Sequence, residues 1–217
     1  MSFILSVAGN VAVPGPNIPK KQNYKYLFSL LMLKMILCLH DITENPKNPW
    51  QMTPKELRDL LTDNKDITDI HFDDGRAGVL KYAPGILKPY MDRIIVTIFI
   101  VPNWIILGAP EKEKYSKFLT WAEVKSMHEW GFEIGSHSLN HPDLTKCTDD
   151  QLFLEMKMSK DLIKQFIGVT VTKFAYPYGL YDERVMHAAA QYYSTAFALN
   201  SKLLSNYEVP RKIVLHR

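Results

Sequence analysis

Along most of the chain, short runs of apolar, β-branched and aromatic residues alternate with stretches whose apolar residues recur every three to four positions. The runs read as strands and the periodic stretches as helices. Strands are predicted at 66–72, 94–101, 132–136, 172–175 and 194–199, with Ile213-Val214-Leu215-His216 as a last strand-like run. Ile94–Val101 is apolar almost throughout, as in a strand covered on both faces of a parallel sheet. Thr53-Pro54-Lys55-Glu56 opens a helix with a capping box and a proline in its first turn, running to about Thr62. A second helix candidate, Val79–Met91, is broken by Pro84 and Pro89. Thr120-Trp121-Ala122-Glu123 is another capping box, for a helix that stops at Gly131. Thr148 caps the longest helix, whose buried stripe is Leu152, Met156, Leu162, Ile163 and Phe166 and whose end is Gly168. A further helix is predicted over 182–191, and 103–117 reads as an irregular loop. Strands alternating with helices argue a parallel α/β fold. Periodicity alone leaves barrel and open sheet equally available.

The 217 residues, 47% of them hydrophobic, suffice for one domain with a sizeable core. Residues 1–25 lack periodicity, and 10–21 are rich in Pro, Gly and Lys, as in a tail or linker. Tyr26–Leu39 is an apolar run interrupted by Lys34. It has no small-residue cleavage site and is shorter than the roughly 20 residues of a membrane span, so it reads as a buried segment. The net charge of +3 is scattered, and no basic tract with interleaved aromatics points to nucleic acid. The two cysteines form no Cys-x-x-Cys and no disulfide framework; Cys38 reads as core filler and Cys147 as a loop residue.

Three stretches carry candidate chemistry. Ile70-His71-Phe72-Asp73-Asp74-Gly75 ends a predicted strand with two adjacent carboxylates. Successive side chains diverge there, so one can hold a metal while the other faces a substrate. Alone, the sequence is also ordinary turn chemistry. Ser136-His137-Ser138-Leu139-Asn140-His141 follows another strand and spaces two imidazoles four residues apart, on one face if the segment turns helically. Two histidines and one carboxylate make a three-ligand site with an open position, the pattern of catalytic metals. Tyr176-Pro177-Tyr178-Gly179 runs out of a third strand. All three motifs sit at the C-terminal ends of their strands, where α/β barrels place active sites.

Taken in order, Phe-Asp-Asp-Gly, Ser-His-Ser-x-x-His and Tyr-Pro-Tyr-Gly resemble the polysaccharide deacetylases, carbohydrate esterase family four or the NodB homology domain. The resemblance runs from about Met35 to about Arg217, with Phe-Ala-Tyr-Pro-Tyr-Gly marking a subgroup. It implies a distorted, incomplete (β/α) barrel of about seven strands over 35–217, with 1–34 as an extension and Met35–Asp41 as the first strand. It implies hydrolysis of N-acetyl groups on a sugar or polysaccharide, assisted by a divalent metal, zinc before cobalt or nickel. Asp74, His137 and His141 would be the ligands and Asp73 the general base. The backbone N–H of Tyr178 would meet the oxyanion, and Tyr176 and Pro177 would line the sugar groove. His216, in the Leu-x-His-like last run, would be the general acid.

The chain departs from the family twice. The arginine that opens the third motif is replaced by Ala175, and Arg211 is the candidate to take its part in orienting the base. The Asp-Trp pair that lines the acetyl pocket is absent, since no tryptophan follows Trp130. Three other readings use the same residues. A facial triad of two histidines and a carboxylate serves iron oxygenases, although on all-β scaffolds. An O-acetyl esterase or a non-catalytic carbohydrate-binding relative could keep the same barrel.

Overall fold

The computed structural model describes residues 35–199 and the strand 211–216, and the expected extension, 1–34, lies outside them. The elements follow the predicted alternation. They are β1 (Met35–Leu39), β2 (Asp41–Ile42), β3 (Gln51–Met52), α1 (Pro54–Asp63), β4 (Ile67–Phe72), α2 (Ala77–Leu87), β5 (Ile95–Ile100), α3 (Pro102–Ile106), α4 (Trp121–Glu129), β6 (Glu133–Ser136), α5 (Asp149–Ile167), β7 (Lys173–Ala175), α6 (Glu183–Tyr192), β8 (Thr195–Leu199) and β9 (Arg211–His216). Seven strands form one sheet in the order β1-β4-β5-β6-β7-β8-β9. Pairing is parallel from β1 to β8 and antiparallel between β8 and β9. β9 also approaches β1, so the sheet curls into the incomplete barrel that the sequence implied.

Strand alternation sorts the core into two sides. Leu37, Leu39, Ile70, Phe72, Ile98, Ile100, Phe174 and Ala196 belong to the large cluster shared with the helices. Their neighbours Ile36, Phe99, Ala175 and Phe197 form a small separate cluster inside the curl. Cys38 and His71 share that inner face by register, and His71 packs edge-on against Phe99 and Phe197. The narrow interior has a local signature at Gly135, where an added Cβ would stand 2.5 Å from the Phe99 ring. Only glycine lets that ring lie flat against β6.

Helix starts match their sequence signals, with capping boxes at Thr53, Thr120 and Thr148. Three expectations are corrected. α2 continues through Pro84, because its buried face of Val79, Ala83, Ile86 and Leu87 outweighs the lost bond. The segment 103–117 is partly ordered by α3 and a 3₁₀ turn at Glu111–Glu113. The buried stripe of α5 is Leu152, Met156, Ser159, Ile163 and Ile167 with Glu155, while Phe166 is exposed and stacks on Trp121.

Candidate functional site

β4 delivers its two carboxylates at the end of the parallel sheet. The Asp73 N–H donates to Leu39 O at 2.9 Å, tying the strand's end to β1. The Cys38 thiol donates to Asp73 Oδ2 at 3.6 Å. Asp74 takes a left-handed backbone, with φ of 71°, and turns toward the next motif.

That motif leaves β6 with the His137 N–H on Ile100 O at 2.9 Å. His137 Nδ1 lies 2.8 Å from Ala175 O. A carbonyl can only accept, so Nδ1 carries the proton and Nε2 presents its lone pair. The loop beyond is fixed from α5. Glu155 Oε2 accepts from Leu139 N and Asn140 N, each at 2.9 Å, and Ser138 Oγ accepts from His141 N at 2.9 Å. These bonds, and no helical turn, bring His141 back beside His137.

The result is a triangle of donors. His137 Nε2 and His141 Nε2 are 3.2 Å apart, and each is 3.8 Å from Asp74 Oδ1. Nitrogen and oxygen ligands of a tetrahedral zinc sit about 3.4 Å apart. Asp74 Oδ1 is buried with no hydrogen bond, as a ligand atom should be. The donor set of two imidazoles and one carboxylate therefore fits a divalent ion with an open position.

The charges agree with that reading. Burial pushes the His137 imidazole down, and it pushes His141 down to about 3, so both rings are neutral. Burial alone would raise Asp74, but its cationic neighbours outweigh this and hold it below the usual carboxylate range. His40 exerts the largest of these pulls, and Arg76 is the permanent cation among them. This arginine is fully buried. Its Nη2 donates to Asp74 Oδ2 at 2.9 Å and to Glu113 Oε2 at 3.0 Å. The guanidinium is sandwiched by aromatic rings, with Tyr115 at 4.0 Å and Phe118 at 4.4 Å.

The third motif joins from β7. Tyr178 adopts a left-handed backbone, and its ring packs edge-on to His141 with centroids 4.6 Å apart. Gly179 lies so close to Leu199 that a Cβ would meet the Leu199 N at 2.7 Å, which seats the turn on the end of β8. Asp74, Ser138, His141 and Tyr178 are all the non-glycine residues with positive φ among the described residues. Such strain costs about 1–3 kcal/mol per residue and gathers where geometry serves function.

Tyr176 does not line a groove. It is 2% exposed and packs on Phe174 and Tyr181, because alternation from β7 turns it toward the helices. Pro177 is buried too, which leaves Tyr178 as the exposed member. His216 is also corrected. Antiparallel register sets it opposite Thr195, where β8 begins, and sets Arg211 opposite Leu199 at the motif end. Four residue steps put His216 roughly 13 Å along the sheet from that end.

Arg76 and Trp104 at the site escaped the sequence reading, whereas His40, just after the first strand, is a residue the sequence places within reach of the barrel mouth. His40 follows β1, and its ligand nitrogen lies within 4.8 Å of Cys38 Sγ and an Asp73 oxygen. Trp104, from the segment expected to be irregular, packs on His141 with centroids 4.9 Å apart, and so supplies an aromatic wall. The available signals were Cys38 and His40 two positions apart across the end of the first strand, and Arg76 directly after the Asp-Asp-Gly motif.

The chain also resembles known proteins. The family description "Polysaccharide deacetylase" matches residues 61–197. Bacillus subtilis YxkH, whose name places it among polysaccharide deacetylases, is 32% identical over 156 residues, covering 70% of this chain and 50% of the relative. Chitin deacetylase 1 of Cryptococcus neoformans is 28% identical over 128 residues, covering 59% of this chain and 24% of the relative. The chain thus spans half or less of the length of these relatives. A polysaccharide deacetylase structure from Bacillus cereus superposes with a TM-score of 0.63 at 20% identity, over 83% of this chain and 59% of that one. At that identity the likeness establishes the fold, a curled parallel sheet of the distorted (β/α)7 type.

Proposed function

Because this chain belongs to the polysaccharide deacetylase family, we propose that it hydrolyses acetyl groups from N-acetylated sugars and releases acetate. The observation that carries this reading is the donor triangle of Asp74, His137 and His141 with Asp73 and His40 beside it. The likeness to a chitin deacetylase supports N-acetylglucosamine units as the substrate class.

Asp74 Oδ1, His137 Nε2 and His141 Nε2 would hold a divalent ion, zinc by the donor chemistry. When bound, that ion would polarise the acetyl carbonyl and acidify a water. The protein's own groups do the rest. Asp73 takes a proton from the attacking water, whose oxygen bonds to the carbonyl carbon. The backbone N–H of Tyr178 donates to the oxyanion that forms. His40, as imidazolium, gives its proton to the amine as the carbon–nitrogen bond breaks. Water and amide thereby become acetate and amine, and no other reactant is needed. Trp104 and Tyr178 flank His141 and bound the acetyl pocket. Arg76 helps to keep Asp74 anionic.

The test is acetate release from N-acetylglucosamine oligomers and acetylated xylan. The protein is assayed as purified, after chelation, after zinc is returned, and as Asp73→Asn. Release from the oligomers that chelation abolishes, zinc restores and the variant lacks is the expected result. Release from xylan alone would replace the amide substrate with an ester. No release from any substrate by a zinc-loaded, folded protein would make the chain a binding relative.

A further inference from the structure

Near the end of β1 stands a thiol, Cys38, that hydrolysis does not use. Cys38 lies in β1, and His40 follows directly after its last residue, Leu39. Asp73 directly follows the parallel neighbour β4, whose last residue Phe72 pairs with Leu39. One ligand atom from each of the three lies within 4.8 Å of the other two. We propose that Cys38, His40 and Asp73 form a second site, for a soft divalent ion such as zinc or cobalt, and that filling it stops hydrolysis. This rests on the deacetylase reading only for its effect on activity.

Spacing and charge both support the site. A thiolate sulfur and a carboxylate oxygen on one tetrahedral zinc are about 3.5 Å apart. Cys38 Sγ and Asp73 Oδ2 are 3.6 Å apart. Sulfur, nitrogen and oxygen donors are the set that suits zinc and cobalt and does not suit magnesium or calcium. The ligands also balance the added charge. Asp74 with two neutral imidazoles leaves a net single positive charge around a first dication. Cys38 as thiolate with Asp73 neutralises a second one completely. Arg76 adds nothing to the repulsion, since Glu113 already pairs with it.

Asp73 reaches both sites. Its Oδ2 is 3.6 Å from His137 Nε2 and 3.6 Å from Cys38 Sγ. A carboxylate in that position can bridge two ions spaced about 3.5–4 Å apart. Binding requires Cys38 to lose its thiol proton to solvent as the sulfur–metal bond forms. The first site needs no such loss, so it fills first. Occupancy of the second then takes away both the carboxylate that accepts the water's proton and the imidazole that donates to the amine.

Cobalt titration of the chelated chain is the test. The first equivalent should give no thiolate-to-cobalt charge-transfer band, and the second should bring it up. Cys38→Ser should bind one cobalt without the band, whereas Cys147→Ser should keep both, with circular dichroism confirming that each variant folds. His137→Ala should keep the thiolate band while losing the other ion. Zinc beyond one equivalent should lower wild-type turnover about tenfold or more and leave that of Cys38→Ser within about twofold of its own one-zinc value. No band at any cobalt level, or an undiminished band in Cys38→Ser, overturns the site. Two bound ions with unchanged turnover overturn its inhibitory effect. Should no substrate be turned over, cobalt stoichiometry and the band still decide the site alone.

Discussion

Arg76, together with His40, favours Asp74 as a ligand over a proton carrier. A carboxylate so deeply buried would take up a proton if left alone. The guanidinium, 2.9 Å away, opposes this together with His40, and Glu113 balances it in turn. Replacing the arginine by an uncharged chain of similar length leaves two carboxylates facing each other without their cation. Arg76→Met should therefore weaken zinc binding about 10- to 100-fold and destabilise the fold by about 3–5 kcal/mol. Calorimetric zinc titration and urea unfolding measure the two effects. An unchanged zinc affinity would show that Arg76 only fills space. Arg76 grips Asp74 through both Nε and Nη2.

At the scale of elements, the direction of β9 carries a consequence. Running antiparallel to β8, it takes its last residue to the end of the sheet opposite the site. His216→Ala should leave acetate release within about twofold of wild type. His40→Ala should lower it about 10²- to 10⁴-fold, the usual worth of a positioned proton donor. Equal losses in both variants would mean that β9 reaches the site after all. The segment after β5 has a different signature. Burial pushes the Tyr115 phenol up to about 12, against weaker downward pull from Arg76. The unfolded chain loses that proton near pH 10, so it gains stability relative to the folded one as pH rises further. Tyr115 thus contributes stability that is whole below pH 10 and is lost as pH climbs toward 12. Urea midpoints at pH 9 and pH 11 should fall further for the wild type than for Tyr115→Phe. Equal falls would show that the phenol is solvated.

For the whole molecule, the narrow interior of the curl is the vulnerable part. Phe99 is fully buried there, between His71, Phe197 and the bare backbone of Gly135. Phe99→Ala should cost about 3–5 kcal/mol, read as a lower urea midpoint. A loss below about 1 kcal/mol would mean that the barrel collapses around the gap. The sequence by itself determined the alternation of strand and helix, the three capping boxes and the motif order. Each is written locally, in side-chain period, in cap residues three apart, or in a run of adjacent ligands. It also determined that Asp73-Asp74 and His137–His141 stand at strand ends. Tertiary structure alone decided the partners. The reach of Arg76 to Glu113, of Glu155 to the His137–His141 loop and of Cys38 to Asp73 spans 37, 16 and 35 positions. No local period encodes such contacts. Helix continuity through Pro84, the burial of Tyr176 and the reversed course of β9 were decided in the same way, by what packs against each segment once the sheet has curled.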